Sequence, residues 1–297
     1  MHILLVTRHY PPEISGGARR PFLFAKELRA LGHKVTVVTP FPDDDPNSLC
    51  VPNRAINNGY AGQDSVHLSA KSKREGAGAK FRSFARDWVY WPDHNINWAR
   101  SVVSALIERD LSPDLVFTTS PPESVHVVGQ KISQARSIPW IAELRDTWVE
   151  APHREILARS AVRRFFERRI ARHFLKSAHA LISVSEAVMR EARTYARAGT
   201  PELIISHFSD GRAEPYRFPE DTLNLVHTGG FSLSDRRRDL KTLLDLLDVT
   251  LRVTPNLVLH IAGPLTSEEK HLSDIAAIPV KLYGACLLYT SPSPRDS

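Results

Sequence analysis

Apolar and polar positions change period along this chain in a regular way. Residues 3–7 form a short apolar run rich in β-formers, closed by Tyr10-Pro11-Pro12, as a strand buried on both faces would read. A loop carrying Gly16-Gly17 follows. Pro21 suits the first turn of a helix, where its missing N–H leaves nothing unpaired. Phe24, Leu28 and Leu31 recur at helical spacing, and Gly32 supplies the stop. Residues 35–39 form the next strand. This is one βαβ unit whose glycine loop lies between a strand's carboxyl end and a helix N-terminus, where N–H groups and the helix dipole favour an anion.

The alternation continues. Strands are predicted over 115–119, 138–144, 180–184 and 203–206, and helices over 81–111 (broken at Pro92), 123–133 and 185–198. Residues 40–80, rich in Pro, Asp, Asn, Gly and Ser, read as a long excursion with one short strand near 66–68. The polar stretch 210–219 reads as a linker. A second α/β start follows: strand 223–228, the glycines Gly229-Gly230, a helix opened by DRRRDLK at 235–241 and running through 253, strand 257–262, helix 267–277 and strand 280–283. The expected organisation is a first domain over 1–210, a linker over 211–219, a partial second domain over 220–284, and a tail over 285–297 without helical or strand logic.

Composition sharpens this picture. A chain of 297 residues with 42% hydrophobic content is long enough for two domains. Two distant cysteines, Cys50 and Cys286, give neither a disulfide framework nor a metal quartet. No signal peptide or bilayer-length apolar run is read, so a cytoplasmic location is expected. The net charge of +6 is concentrated: residues 151–180 hold eight Arg and Lys against two Glu, so the remainder is formally neutral. In that segment Val162, Phe165, Phe166, Ile170 and Phe174 form a stripe at helical spacing. Two readings stand: a core-facing helix with a solvated basic side, or a helix facing an anionic membrane or acceptor. Nucleic acid ranks last, because no aromatic-plus-glycine RNA signature accompanies the charge.

Candidate chemistry gathers at the predicted strand ends. His126 falls in a helix's first turn beside them, as a ligand contact or a structural histidine. Glu143-Leu144-Arg145-Asp146 ends a strand with charge at the rim where open α/β sheets bind ligands. A Glu143–Arg145 or Arg145–Asp146 structural ion pair is the alternative. In the second half, Gly229-Gly230 with Arg237, Arg238 and Lys241 forms another anion cradle. Asp43-Asp44-Asp45 reads as a solvated acidic loop rather than a metal site. A nicotinamide-dependent oxidoreductase is disfavoured, because the first loop lacks G-x-G-x-x-G and no acidic residue closes 35–39.

The motifs TRHYPPEISGGARR, TSPPESVHVVG followed by IPWIAELRDTW, the ERR-containing helix with AHALISVSEAV, and LVHTGGFSLSDRRRDLKTLLDLL together resemble a family 4 glycosyltransferase of the GT-B fold, in the branch of cell-surface polysaccharide and colanic-acid-like assembly. The resemblance implies an α/β, GT-B-like fold: a complete Rossmann-like N-terminal, acceptor-side domain and an incomplete second, donor-side one. It implies retaining transfer from a nucleoside-diphosphate sugar to a lipid-linked or saccharide acceptor in cell-envelope polysaccharide synthesis, with no metal or cofactor needed. Asp146 and His126 become the catalytic candidates. Gly16, Gly17, Arg145, Gly229, Gly230, Arg237, Arg238 and Lys241 become the substrate-binding ones. An anionic inner-membrane surface is the expected further partner, through 151–180. The family's late acidic pair, spaced eight apart, has no counterpart here, and Glu268-Glu269 does not fit it. The chain is therefore expected to be an inactive fragment with a non-native tail. A nucleotide-sugar epimerase of the same architecture and a non-enzymatic membrane-binding module are the alternatives.

Overall fold

The computed structural model of the chain describes residues 1–13, 16–42, 45–53, 91–150, 160–208, 218, 221–232, 238–251 and 254–284. Two compact units result, one carrying a seven-stranded sheet and one a three-stranded sheet.

The first unit runs β1 (His2–Thr7), α1 (Gly16–Ala30), β2 (Lys34–Thr39), β3 (Ser48–Cys50), α2 (Ile96–Ile107), β4 (Leu115–Ser120), α3 (Val125–Arg136), β5 (Trp140–Leu144), α4 (Ala161–Leu175), β6 (Ala180–Ser183), α5 (Glu186–Arg193) and β7 (Glu202–Ile204). The strands are parallel in the order β3-β2-β1-β4-β5-β6-β7. β1 shows why its sequence is apolar without a break. Leu4 and Val6 enter one core with Trp98, Trp140 and Trp148, while Ile3 and Leu5 enter another with Val35, Val37 and Phe117. A central parallel strand buries both faces, so no polar alternation remains.

Several local features depart from the sequence reading. The two glycines of the first loop lie inside α1's first turn, and Pro21 sits at the helix's sixth position. β3 pairs with β2 although nothing in its three residues marks a strand. The helix expected over 81–111 is observed as α2; its earlier part, Trp88 and the strand near 66–68 lie outside the described residues.

The largest correction concerns α4. Its buried face is Arg163, Glu167, Ala171 and Leu175. Val162, Phe165 and Phe166, three members of the predicted apolar stripe, are 56%, 55% and 41% exposed, so the core-facing reading fails for them. Two stripes, each recurring about every four residues and offset by one position, compete on this helix, and the one carrying an ion pair wins because it neutralises itself. Arg163 donates to Glu167 Oε1 from Nε (2.9 Å) and Nη2 (2.6 Å), and Trp148 Nε1 donates to Oε2 (3.0 Å). Burying a charged pair is tolerable only when its bonds are filled in this way.

The second unit runs β8 (Leu223–Thr228), α6 (Leu240–Leu251), β9 (Leu257–Ala262), α7 (Ser267–Asp274) and β10 (Val280–Gly284), with parallel order β10-β9-β8. Leu240, Leu244 and Leu247 of α6 pack on Leu257, Leu259 and Ile261 of β9. Leu223, Leu225, Val226 and Leu282 stay exposed. No helix among the described residues is long and apolar enough to cross a membrane.

Candidate active site

The carboxyl end of β1 leads into a tight polar cluster. Thr7 Oγ1 donates to the His9 carbonyl (2.9 Å), and the Glu13 amide closes a turn on the Tyr10 carbonyl (3.1 Å). That turn brings the Glu13 carboxylate to His9 Nδ1 at 3.0 Å and to Arg8 Nη1 at 3.4 Å. With Nδ1–H donating to the carboxylate, the basic lone pair of the ring lies on Nε2. Gly17 packs directly on this imidazole: a Cβ there would sit 3.1 Å from His9 Cγ. The glycine therefore lets the first turn of α1 approach the β1 end.

Arg145 is fixed beneath the same turn. It is 7% exposed and donates to three carbonyls: Ser120 (2.8 Å, from Nε), Gly17 (2.6 Å) and Pro121 (3.0 Å). The Gly17 contact has a local cause. Pro21 has no N–H, so the carbonyl four residues before it lacks its helical donor, and Arg145 takes that place. Burial lowers the arginine's pKa from its ordinary value, opposed by Glu143 and Asp146 nearby. Among the described residues Arg145 forms no ion pair, so the alternative of a structural pair with Glu143 or Asp146 is not the one formed. Its charge is held by neutral acceptors below a helix N-terminus, which favours an anion at this place.

Glu143 pairs with Arg20 instead, a residue that the sequence reading passed over. Arg20 Nε donates to Glu143 Oε1 at 2.8 Å, with Nη2 at 2.7 Å from the same atom. The remaining donors bind the Ser206 (2.8 Å) and Ile205 (2.7 Å) carbonyls after β7. The guanidinium also lies over the Phe24 ring, 4.9 Å from its centroid. Arg20 thus ties α1, β5 and the end of β7 into one block. Asp146, next to Arg145, is exposed at the rim, and Gly16 is exposed at the start of α1.

His126 does not join this cluster. It is 0% exposed, with Nδ1 2.9 Å from Thr118 Oγ1 and its ring 5.6 Å from that of Trp148. Burial alone lowers its pKa to about 3, so it is a neutral core residue. Its position in a first helical turn is as expected, but that turn faces the sheet interior rather than the rim.

In the second unit, Gly229 turns the chain at the end of β8 with φ of +102°, a conformation open to glycine. Its amide donates to the Ala262 carbonyl (2.8 Å), and a Cβ on Gly263 would fall 2.0 Å from the Gly229 carbonyl oxygen. The loop is held by Glu269. Its Oε1 accepts from Ser232 N (3.0 Å) and Oγ (2.6 Å), and its Oε2 accepts from Thr266 N (2.8 Å) as part of α7's capping box. Burial raises this carboxyl's pKa, but the bonds from Ser232 and Thr266 outweigh it and leave the pKa below its ordinary value. Gly230 is buried and Arg238 exposed. Lys241 is exposed and pairs with Asp245 at 2.6 Å. Arg237 lies outside the described residues, as do Asp43 and Asp44. Asp45 is engaged by Arg29 at 2.6 Å, and among the described residues no group of three His, Cys, Asp or Glu is placed to hold a metal.

The family model for a glycosyl transferase 4-like domain matches residues 15–205, more than half of the chain. The chain belongs to the glycosyl transferase 4-like family. No curated protein sequence matches it. Among solved structures it is similar to Anabaena HepE in complex with UDP and glucose (16% identity, TM-score 0.51, 96% of this chain and 69% of that one). It is also similar to sucrose-phosphate synthase from Thermosynechococcus elongatus (13%, 0.54, 96% and 70%) and to an α,α-trehalose-phosphate synthase (UDP-forming) from Burkholderia vietnamiensis (12%, 0.50, 95% and 72%). At these identities the likeness is one of fold. This glycosyl transferase 4-like chain is thus an α/β protein of GT-B-like architecture, and the matched region takes in Gly17, Arg20, Glu143 and Arg145 but begins after His9 and Glu13.

Proposed function

We propose that this protein is a retaining glycosyltransferase that moves a sugar from a nucleoside-diphosphate donor to a lipid-linked or saccharide acceptor in cell-envelope polysaccharide synthesis. One observation carries the reading. The Arg145 guanidinium, without an ion pair among the described residues, is fixed by three carbonyls under the first turn of α1, which Gly17 lets come close to the β1 end. As the bond from the anomeric carbon to the diphosphate breaks and the acceptor hydroxyl oxygen bonds that carbon, giving its proton to the departing diphosphate, negative charge collects on that diphosphate. Pre-set donors and a fixed cation stabilise that charge without reorganising. On the donor side, the Gly229-Gly230 turn is braced by Glu269, with Arg237, Arg238 and Lys241 as the candidate cations. Family membership and the UDP held by HepE support a nucleotide-sugar donor.

Asp146, exposed beside Arg145, is the remaining catalytic candidate facing the acceptor. Peripheral attachment to an anionic inner-membrane face through α4 belongs to the same reading. So does low turnover by these 297 residues, because the second sheet leaves the apolar side chains of β8 exposed. The test is saturation-transfer NMR of the 297-residue chain with UDP-, GDP- and dTDP-sugars, alongside Gly17→Val. At least one donor is expected to receive saturation from the wild type and to lose it in the variant, with tryptophan emission confirming that the variant is folded. No contact from any donor would overturn the donor assignment. Rapid transfer by the 297 residues would overturn the low-turnover part.

A further inference from the structure

A concave site lies away from the β1 rim, between α2, α3 and α4. It is a groove of about 770 Å³, within the range of small-molecule sites. Its floor is apolar, with Ile96 and Val103 from α2 and Ile170 and Phe174 from α4. One wall is an aromatic ridge. Trp91 meets Phe166 at 5.4 Å between centroids, and Phe166 meets Phe165 edge-on at 5.5 Å. The ridge is built from the side chains that α4 exposes instead of burying.

The edges of the groove are cationic. Arg100, Lys131 and Arg169 come from three different helices, and all three are exposed. Among the described residues none of them forms an ion pair, whereas Arg168, Arg193 and Lys241 elsewhere on the surface each meet a carboxylate. Arg169 lies over the Phe165 ring at 5.8 Å, which keeps it beside the ridge. An apolar trough edged by unneutralised cations matches one chemistry: a hydrocarbon chain ending in an anionic head. Polar nucleic acid would meet the cations but leave the trough unfilled, and an uncharged apolar ligand would leave the cations unused.

We infer that this groove binds a single anionic amphiphile, a lipid phosphate, with its chain along Ile96, Val103, Ile170 and Phe174 and its phosphate at Arg100, Lys131 and Arg169. The site shares no residue with the Arg145 cluster and stands or falls apart from the transfer reaction. It would hold the protein at a lipid surface by capturing one molecule, which differs from adsorption of a basic helix.

The experiment is isothermal titration calorimetry of the 297-residue chain with dodecyl phosphate below its micelle-forming concentration. Saturable one-to-one binding is expected. Lys131→Glu with Arg169→Glu should weaken it at least tenfold, and so should Phe166→Ser. Both variants must retain the wild-type tryptophan-monitored melting temperature, since all the changed side chains are exposed. Where one does not, Lys131→Gln with Arg169→Gln replaces it. Dodecyl maltoside and inorganic phosphate should each bind at least tenfold more weakly. Absence of binding, equal affinity for the maltoside, unchanged affinity in the variants, or displacement of dodecyl phosphate by a duplex oligonucleotide would overturn the inference.

Discussion

Arg20 offers the sharpest test of how the first unit is held together. Its guanidinium is the bonded counter-charge to Glu143, which is 0% exposed and whose Oε2 has no hydrogen-bond partner. Replacing Arg20 with Met keeps apolar volume beside Phe24 but leaves a carboxylate buried without its counter-ion. Removing one member of a buried pair costs about 3–5 kcal/mol. The Ile205 and Ser206 carbonyls lose their donors as well. In a domain of this size each kcal/mol shifts the melting temperature by about 2–4 °C, so a drop of roughly 6–20 °C is expected. Tryptophan emission is the right probe, because all five tryptophans fall between residues 88 and 148 and the four described ones sit in the first unit. The signal therefore follows that unit within the whole chain. Adding Glu143→Leu to Arg20→Met removes the orphaned charge and should recover at least about 2 kcal/mol. A loss below about 1 kcal/mol in the single variant, or no recovery in the double, would show that Arg20 is not the tie described.

Other substitutions probe the same architecture. Gly129→Ala, a change that stabilises most helices by about 1 kcal/mol, should here destabilise by about 2 kcal/mol or more, because its Cβ would lie 2.1 Å from Trp140 Nε1; a tryptophan-monitored melt checks the sign. His126 has a folded pKa of about 3 against an ordinary 6.5, so its neutral burial stabilises fully above pH 6.5 and that contribution is lost as pH falls from 6.5 toward 3. The wild type should lose roughly 1.4 kcal/mol per pH unit across that window from this group, and His126→Gln should flatten the melting-temperature profile between pH 6.5 and 4.5. Glu269→Ala should speed amide exchange at Ser232 and Thr266 by about tenfold or more, since each charge-assisted bond contributes about 1.5–3 kcal/mol; unchanged protection would mean the loop is held otherwise.

The order of strands and helices is legible in the sequence because each local rule agrees with the next. Strands buried on both faces must be apolar throughout, as residues 3–7 are, and Gly32 closes α1 with φ of +84°. Pairing partners are another matter. β3 is three residues long and earns its place from β2's open edge, so its own composition says nothing. Gly16 and Gly17 look like a loop because glycine marks loops. What decides their place in α1 is the close approach of Gly17 to His9, a contact eight positions away that no periodicity encodes.

The site is legible in its residue types and not in its pairings. Charge at the end of β5 is evident from Glu143 to Asp146, but the partners that Glu143 and Arg145 take on α1 lie more than a hundred positions away and leave no mark on the local pattern. Glu143 turns toward α1 and finds Arg20; Arg145 turns toward carbonyls at the ends of β4 and α1. The link that makes Arg145 useful begins at Pro21. A proline at that position deprives the Gly17 carbonyl of its helical donor, and the vacancy is filled by a side chain 128 positions further along. A proline read only as a helix starter hides this, because its effect falls on the residue four before it. The same logic separates the two faces of α4. Hydrophobic spacing proposes Phe165 and Phe166 for the core, while the Arg163–Glu167 spacing of four proposes an ion pair that closes on itself. Trp148 Nε1 adds to the carboxylate's bonds and helps make the polar stripe the better one to bury, which leaves an aromatic ridge at the surface beside Arg100 and Arg169.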